Sequence, residues 1–305
     1  MRTERNPAIP MKLIRYATEP DYRFLVNSSL GLHRRMPDRE YLKKVYRIKL
    51  GKELNLDSPV TFNEKLQWLK LHDRREEYHA MVDKAQVKQI VAEKLGEQYI
   101  VPTIGVYHDC DEIDFSKLPD RFVLKCTHDS GGLVICDGKS RFDVRRAKKT
   151  LRHYLRRDYY SQWREWPYKG LPHRIIAEEY IESDDGLTDY KVHCFNGEPK
   201  LVLVCKDRFA PTGLTEDFFT EKWEHCDVRR PQHPNAAQTP QKPAELEELL
   251  RLARILAADI PFVRVDFYIV GRRIIFSEIT FFPAAGLKPF EPEEWDKTLG
   301  DLLEL

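Results

Sequence analysis

Three charged residues interrupt two apolar segments near the C-terminus and form the clearest chemical pattern of the chain. Arg264 and Asp266 lie two residues apart in VRVDFYIV, so an extended strand projects both side chains from one face. Glu278 lies in RIIFSEITF, which follows a turn at Gly271 and is expected to pair with the first strand. Carboxylates converging beside an arginine supply the oxygen ligands that magnesium prefers when it also binds substrate phosphates. A charged ladder on one sheet face explains the same residues equally well, so both interpretations stay open.

A second pattern is a lysine at the end of an apolar run, in FVLKCTHDSGG at residues 122–132. A buried ammonium group is costly without an anion, so we expect Lys125 to reach solvent or to bind a negative ligand such as phosphate. The THDSGG segment then supplies backbone N–H groups with little side-chain bulk, as loops over polyphosphates do. The segment is neither a Walker A loop nor a GxGxxG fingerprint, and glycine-bearing turns of this kind are common.

A third pattern is a strand that runs into acidic residues, in IIAEEYIESDDGLTDYK. The end of such a strand, beside an aromatic ring, can offer backbone groups to the edge of an adenine. A carboxylate a few residues later can reach ribose hydroxyls. A solvated acidic loop is the commoner explanation of these residues.

Composition narrows the class of protein. The chain has 305 residues, 42% of them hydrophobic, which is enough for a large core in two or three lobes. Fifty basic and 49 acidic residues leave a net charge of +1, so nothing suggests a nucleic-acid or anionic-membrane binder, and small molecules are the expected partners. The six cysteines show no zinc spacing and are expected to be buried free thiols. The N-terminus has no apolar signal region and no segment approaches a membrane span, so we expect a cytoplasmic protein.

The first third of the chain is predicted to be largely helical. A helix is expected from Asp38, a possible cap, to about Gly51. Thr61 and Glu64 form a capping box that opens a second helix, and residues 81–96 predict a third. Residues 1–37 read as a ragged leader or a short helix packed on another part of the chain.

The remainder is predicted to alternate strands and helices. FVLKC and LVICD are expected to pair as antiparallel strands across the THDSGG loop, followed by a helix over about 143–160 and a buried strand at IIAEEYI. The Asn196-Gly197 dipeptide predicts a hairpin between DYKVHCF and LVLVCKDRF. A helix over 243–260 and a last hairpin follow, while the proline-rich segment 229–243 is expected to be a mobile surface loop.

The order of these patterns resembles the ATP-grasp superfamily, and most closely its TupA-like branch, which is associated with teichuronopeptide and capsular polysaccharide synthesis. The matching strings are TFNEKLQWLKL, MVDKAQVK, FVLKCTHDSGG, EEYI, DYKVHCFNGEPK, RVDFY and FSEITFFPAAG, spread over residues 38–290. The resemblance implies an α+β fold in which two lobes clamp ATP. We predict an N-terminal leader at 1–37, a mainly helical region at 38–117, a small lobe with the phosphate loop at 118–181, and a large lobe with the metal site at 182–305.

The resemblance also implies a role for particular residues. The residues expected to bind ATP through its phosphates, adenine or ribose are Lys84, Lys125, His128, Asp129, Ser130, Gly131, Gly132, Glu178, Glu179, Tyr180, Ile181, Asp189 and Lys206. The residues expected to act on the transferred phosphoryl group or the acceptor are Arg264, Lys191 and Arg208. The expected Mg²⁺ ligands are Asp266, Glu278 and Thr280, although Thr280 stands where many relatives have a better ligand, asparagine.

The activity that the resemblance implies is amide-bond formation through an acylphosphate, with a sugar acid such as a uronate joined to an amino acid or amine. A kinase acting on a sugar hydroxyl, and a binding protein without turnover, are the alternatives. Association with polysaccharide-synthesis enzymes is also implied. The acidic substrate could bind four cations, although solvated charges are the simpler explanation of each: Arg208, Lys222, Arg229 and Arg230.

Other ring-bearing residues allow two interpretations. His128 could donate a hydrogen bond to the transferred group, whereas His193 is expected to be packed within its strand. Five aromatic residues before the EEYI strand could form a wall for a sugar, but packing in the core or between lobes is the expected role: Tyr159, Tyr160, Trp163, Trp166 and Tyr168.

Overall fold

The computed structural model describes residues 9–183, 186–207 and 213–305, and the first third of the chain is helical as predicted. The segment expected to be a leader contains two helices. The six N-terminal helices are α1 (Ile9–Thr18), α2 (Pro20–Ser29), α3 (Asp38–Leu50), α4 (Phe62–His72), α5 (Glu77–Val82) and α6 (Val87–Lys94). No helix in the described residues is long and apolar enough to cross a membrane.

The ends of α3 and α4 show which of the predicted capping signals correctly located a helix end. Gly51 ends α3 in the left-handed conformation, at a φ of 69°. Thr61 and Glu64 form the predicted capping box at the start of α4. Asp38 is not the cap of α3, because Pro37 occupies that position. The Asp38 carboxylate instead accepts hydrogen bonds from the Arg74 guanidinium (2.8 Å) and the Tyr160 hydroxyl (2.7 Å).

The single helix predicted over 81–96 was wrong, because the chain turns between α5 and α6. The Asp83 carboxylate accepts hydrogen bonds from the backbone N–H groups of Ala85 (2.9 Å) and Gln86 (3.0 Å). A side chain that satisfies these donors competes with the continuing helix. The same carboxylate, fully buried, pairs with Arg174 at 3.2 Å.

Replacing Asp83 by alanine is expected to lower the free energy of unfolding by about 3 kcal/mol, because it removes a cap and leaves Arg174 without its partner. Asp143→Ala is a control, since the exposed Asp143 caps α7 through Arg146 N–H at 2.9 Å and has no ion pair among the described residues. That control should cost only about 1 kcal/mol. Urea unfolding of both variants measures the difference, and equal losses would contradict the role of the Asp83–Arg174 pair.

A four-stranded antiparallel sheet follows, with the strand order β1-β4-β2-β3. Its strands are β1 (Thr103–Tyr107), β2 (Arg121–Cys126), β3 (Leu133–Asp137) and β4 (Ile175–Glu179). The predicted pairing of FVLKC with LVICD is confirmed, with Lys125 opposite Leu133. The lobe boundary at residue 118 stays a prediction, although β1 joins this sheet from before it.

The helix predicted over 143–160 was wrong in its extent. The structure has α7 (Val144–Leu155) and a separate short helix, α8 (Tyr159–Trp163). Asp158 lies between them and accepts a hydrogen bond from the backbone N–H of Ser161 at 3.0 Å, which starts the second helix.

A five-stranded antiparallel sheet with the order β7-β6-β5-β8-β9 forms the C-terminal part. Its elements are β5 (Asp189–Phe195), β6 (Glu198–Lys206), β7 (Thr215–Thr220), α9 (Leu246–Ala257), β8 (Phe262–Val270), β9 (Arg273–Thr280) and α10 (Glu294–Asp301). The Asn196-Gly197 hairpin is confirmed, with both residues at positive φ. The leucines of α9 share one core with one face of this sheet, and the opposite face carries its polar residues.

The proline-rich segment lies against this sheet rather than standing free of it. The backbone N–H of Glu216 donates to Pro234 O at 3.0 Å, and Ala236 N–H donates to the Asp217 carboxylate at 3.0 Å. The described residues 229–243 contain no helix and no named strand, in agreement with the predicted loop.

Candidate active site

The charged residues of the last hairpin converge as the sequence predicted. Asp266 on β8 lies opposite Glu278 on β9 and opposite Lys191 on β5. Arg264 donates to both oxygens of Asp266, at 2.6 and 2.7 Å, and lies 3.4 Å from a Glu278 oxygen. The Lys191 ammonium also contacts the Asp266 carboxylate. Two carboxylates and two cations therefore form one network on a single face of the sheet.

Because Asp266 and Arg264 are buried, they do not form the exposed ladder of ion pairs that the sequence also allowed. Asp266 is 0% exposed and Arg264 is 8% exposed. Burial works to raise the pKa of Asp266, but Arg264 and Lys191 outweigh it and lower that pKa to about 2. The carboxylate is therefore charged at neutral pH. Glu278 is more open, with 37% of its side chain exposed, so the network has one buried and one accessible carboxylate.

Carboxylate oxygens on adjacent strands are a donor set that suits Mg²⁺. Asp266 and Glu278 thus fit the predicted ion. Thr280 is close to them, but its hydroxyl oxygen accepts a hydrogen bond from Arg264 at 3.1 Å. Its role as a ligand stays a prediction.

Lys125 has an anionic partner within the protein. Its Nζ lies 2.6 Å from a Glu178 oxygen, and the Lys88 ammonium contacts the other oxygen of the same carboxylate. The two lysines lower the pKa of Glu178 even though burial opposes them. Burial also works to lower the pKa of Lys125, but Glu178, then Tyr268 and Glu278, raise it overall. Lys125 is therefore cationic, and the charge of Glu278 reaches it from the other sheet.

Sequence reasoning missed Lys88. The available signal was its position four residues after Lys84 in DKAQVK, which places both lysines near one another around the start of α6. Its contact with Glu178 depends on how α6 packs against β4, and no local pattern specifies that.

A pocket lies between the two sheets at this position. Its lining combines apolar and charged side chains, and it includes Tyr268 and Phe276, each two residues from a carboxylate of the network along its strand. Its lining residues are Lys84, Val87, Lys88, Ile100, Val101, Lys125, Glu178, Tyr268, Phe276 and Ser277.

The predicted hinge residues have different environments. Glu178 is buried in the ion pairs described above, whereas the Glu179 side chain is exposed and its backbone N–H donates to Pro102 O at 3.1 Å. Tyr180 lies under the Arg121 guanidinium, 4.3 Å from the ring centroid. Ile181 is half-buried at the end of the segment. These contacts thus hold the segment at the C-terminal end of β4.

The predicted phosphate loop is anchored at its first half. His128 and Asp129 are buried, and Lys84 Nζ donates to Asp129 O at 2.9 Å. Ser130 and Gly131 are exposed, while a Cβ at Gly132 would lie 2.7 Å from that of Cys126. Only the tip of the loop, at Ser130 and Gly131, is therefore open to a ligand in this conformation.

His128 stacks on His173 with ring centroids 3.8 Å apart, so its ring is packed rather than exposed to the site. Burial, followed by the charges of His173 and Lys84, lowers the pKa of His128 to about 4 from its ordinary 6.5. As the pH falls from 6.5 to about 4, the unfolded chain therefore binds a proton at this residue that the folded chain does not bind.

The free energy of unfolding should consequently lose about 3 kcal/mol through His128 between pH 6.5 and pH 4. His128→Phe keeps a ring for stacking and removes the titration, so its stability relative to the wild type should improve by this amount on acidification. Urea unfolding at pH 7 and pH 4.5 measures the change, with the exposed His153→Phe as a control. A difference that does not change with pH would contradict the buried neutral histidine.

Two of the remaining predicted residues, Asp189 and Lys206, lie on the large sheet. Asp189 is buried at the start of β5, with an oxygen 3.8 Å from Lys191 Nζ. Lys206 is exposed at the end of β6. Arg208 falls outside the described residues. His193 is buried within β5 and Cys126 is a buried free thiol, both as predicted.

The motif TFNEKLQWLKL has a structural function that the sequence did not reveal. The fully buried Lys70 donates to Ala285 O at 2.8 Å, and Gln67 donates to Gly286 O at 2.8 Å. These bonds hold a turn directly after β9 in which Ala284 and Ala285 both have positive φ, near 50° to 60°. Helix α4 therefore fixes the chain that leaves the carboxylate network.

The aromatic cluster also borders the network. Tyr159 and Tyr168 pack with centroids 4.6 Å apart and both stay partly exposed. Burial raises their pKa values, and the charges of Glu165 and Glu278 raise them further. The two rings are thus packed together and lie within range of the charge of Glu278.

The family model of the TupA-like ATPgrasp family matches residues 64–304 of this chain. The chain belongs to this family and has the ATP-grasp fold, with two antiparallel sheets and a helical N-terminal region. The predicted family and fold are therefore confirmed. No curated protein sequence matches the chain.

Several solved structures are distantly similar to the chain. One is D-alanine–D-alanine ligase from Helicobacter pylori, with 15% identity, a TM-score of 0.42, and coverage of 80% of this chain and 69% of that one. The ligase from Bacillus anthracis complexed with ATP has 14% identity, a TM-score of 0.39, and coverage of 66% and 54%. An ADP complex of N5-carboxyaminoimidazole ribonucleotide synthetase has 13% identity, a TM-score of 0.43, and coverage of 78% and 56%. The chain thus spans little more than half the length of two of these proteins.

Proposed function

We propose that this chain is an ATP-dependent ligase that joins a carboxylic acid to an amine, with a uronate or other sugar acid as the acid, in the synthesis of capsule or cell-wall polysaccharide. The observation that supports this most directly is the pocket between the sheets. Lys84, Lys88 and Lys125 line it, and so do Tyr268 and Ser277, which lie on β8 and β9 close to Asp266 and Glu278 in the chain. The family to which the chain belongs supports the same assignment.

In this proposal each side chain has a limited electrostatic or positioning task. Lys125 and Lys84 bind ATP phosphates, and the apolar wall formed by Val87, Ile100 and Phe276 receives the adenine. Asp266 and Glu278 would hold Mg²⁺, which offsets phosphate charge when bound. Two hydrogen bonds to Asp266 fix the orientation of Arg264, whose guanidinium stabilises the negative charge of the transferred phosphoryl group.

The chemistry of ligation balances without a covalent enzyme intermediate. A carboxylate oxygen of the acid bonds to the γ-phosphorus while ADP leaves, and the amine nitrogen then bonds to the acyl carbon while phosphate leaves. The amine releases its proton to solvent or to the departing phosphate. Water must be kept away from the acylphosphate, which is a general reason for enclosing such a site between two lobes.

The function is tested by incubating the protein with Mg-ATP, uronic acids, nucleotide-sugar acids and a pool of amino acids and amines. A ligase forms ADP and free phosphate together with a product whose mass equals acid plus amine minus water. A stable phosphorylated sugar would instead identify a kinase. Formation of neither product would contradict the proposal.

A further inference from the structure

Arg230 is a buried cation without an anionic partner. Its side chain is 8% exposed, and no ion pair or hydrogen bond of its guanidinium occurs among the described residues. Its closest ring is Phe290, whose centroid lies 5.9 Å from the guanidinium carbon. Buried charges are normally paired, because removing an ion from water costs several kcal/mol. An unpaired one therefore requires an explanation.

The backbone directs Arg230 inward. Residues 226–230 alternate between buried and exposed, with Cys226 and Val228 buried as apolar side chains. Cys226 N–H donates to Phe218 O at 2.8 Å, and Arg229 forms a bridge with Glu291, so the segment is fixed at both ends. Arg230 occupies the next inward position, where an apolar residue would continue the pattern.

The adjacent residue Arg229 differs from Arg230 in both exposure and pairing. Its side chain is 58% exposed and pairs with Glu291 at 2.9 Å, as an ordinary surface charge does. Lys222 is also exposed. The sequence could not separate these cations from Arg230, and in the structure only Arg230 of the three is buried and unpaired.

Arg230 lies over the polar face of the large sheet, close to the carboxylate network. Burial lowers the pKa of Arg230, Glu216 opposes this effect, and the charge of Arg264 lowers the pKa further. Burial and then Arg264 and Arg230 lower the pKa of His193 on β5 to about 3. Burial and Arg230 likewise lower the pKa of Lys288. The charge of Arg264 thus acts on Arg230, and the charge of Arg230 acts on Lys288.

The carboxylate with the largest effect on Arg230 is that of Glu216, but the two side chains do not pair in the described structure. Glu216 lies on β7, and one of its oxygens is buried without a hydrogen-bond partner in the described structure. It forms no ion pair with Arg230 within that part of the chain. The Asp266 carboxylate is already held by Arg264 and Lys191. The guanidinium of Arg230 is therefore left without a hydrogen-bonded anion among the described residues.

We propose that Arg230 binds an oxyanion, a carboxylate or a phosphate, carried by the acidic substrate, at a subsite next to the carboxylate network. The identification of the ligand as the substrate rests on the proposed ligase function. A planar guanidinium suits both groups, because its N–H donors match two oxygens at once. Lys288 is a further cation within range of the charge of Arg230. The subsite would select acidic over neutral sugars.

Binding is measured by calorimetry at constant ionic strength, with the nucleotide site saturated by Mg²⁺ and the non-hydrolysable analogue AMP-PNP. The probes are D-glucuronate for a carboxylate, D-glucose 1-phosphate for a phosphate, and D-glucose as the neutral control. The wild type and Arg229→Gln are expected to bind at least one acidic probe and not glucose. Arg230→Gln should bind that probe at least ~10-fold more weakly, and Arg230→Lys should fall between them.

Stability provides a readout that does not need the ligand. Removing an unpaired buried charge should raise the melting temperature of Arg230→Gln, by about 2 °C or more in a buffer without carboxylates or phosphate. A structural arginine would give a decrease instead. Four results would each overturn the subsite. Two concern Arg230→Gln alone: a lower melting temperature than the wild type, or weakened AMP-PNP binding. The other two are equal probe binding by Arg230→Gln and the wild type, and no binding of an acidic probe by the wild type.

The two proposals fail in different ways. Binding of glucuronate through Arg230 without any ADP formation would contradict the ligase and leave an oxyanion site. Ligation that proceeds unchanged in Arg230→Gln, with the same preference for acidic over neutral sugars, would contradict the subsite and leave the ligase.

Discussion

Asp266→Asn is expected to lower the rate of ADP formation by about 1000-fold while ATP continues to bind. The substitution removes the buried charge that orients Arg264 and contacts Lys191, and it removes one of the two carboxylates expected to hold Mg²⁺. ATP binding should persist, because Lys125 and the apolar pocket wall are unchanged. A second readout is Mn²⁺ affinity in the presence of ADP, which should fall at least ~10-fold without any need for the acceptor.

Loss of a buried carboxylate also destabilises a protein, so the effect needs a matched control. Asp217→Asn is suitable, because Asp217 is equally buried on β7 of the same sheet and accepts hydrogen bonds from Asn235 and Ala236 away from the network. Both variants should unfold at lower urea concentrations, but only Asp266→Asn should lose turnover and Mn²⁺ binding. Normal turnover in Asp266→Asn would place the metal elsewhere.

Lys125→Met is expected to weaken ATP binding by about 10- to 100-fold, which corresponds to the loss of one or two charge-assisted contacts. Folding should be less affected, because Glu178 keeps Lys88 as a partner after Lys125 is removed. Titration with a fluorescent ATP analogue measures the affinity, and urea unfolding measures the stability.

Lys148→Met is the control for Lys125→Met. Lys148 also pairs with a carboxylate, Asp111 at 2.8 Å, but it lies on α7 and does not line the pocket between the sheets. It should leave ATP affinity unchanged. If Lys125→Met binds ATP as tightly as Lys148→Met does, the lysine at the end of β2 serves only to neutralise Glu178 and does not contact phosphate.

The parts of the fold that were predictable depend on short-range signals. The capping box at Thr61 and the turn at Asn196-Gly197 are complete within four residues, and both formed as predicted. The break at Asp83 was missed because its residues suit a helix, and only the side-chain hydrogen bonds and the pairing with Arg174 favour the turn. Asp158 divides the helix after β3 in the same way.

The candidate site was likewise predictable where its residues are close in the sequence, and not where they are distant. Period-two spacing was sufficient to bring Arg264 and Asp266 together, whereas Glu278 lies opposite Asp266 because the register of β8 and β9 shifts between Asp266 and Phe267. The partner of Lys125 was not predictable, because Glu178 meets it through the register of β2 with β4, which joins residues more than fifty positions apart. Arg230 could be separated from Arg229 only by burial, since adjacent arginines look alike in a sequence.

The transfer of ¹⁸O tests the ligase most directly. Uronic acids labelled with ¹⁸O in the carboxyl group are incubated with Mg-ATP, the amine pool and the protein, and the released phosphate is analysed by mass spectrometry. Activation of the acid as an acylphosphate predicts one ¹⁸O in each phosphate released with product. Phosphate without label, or a phosphorylated sugar that keeps all its ¹⁸O, would contradict carboxylate activation by this chain.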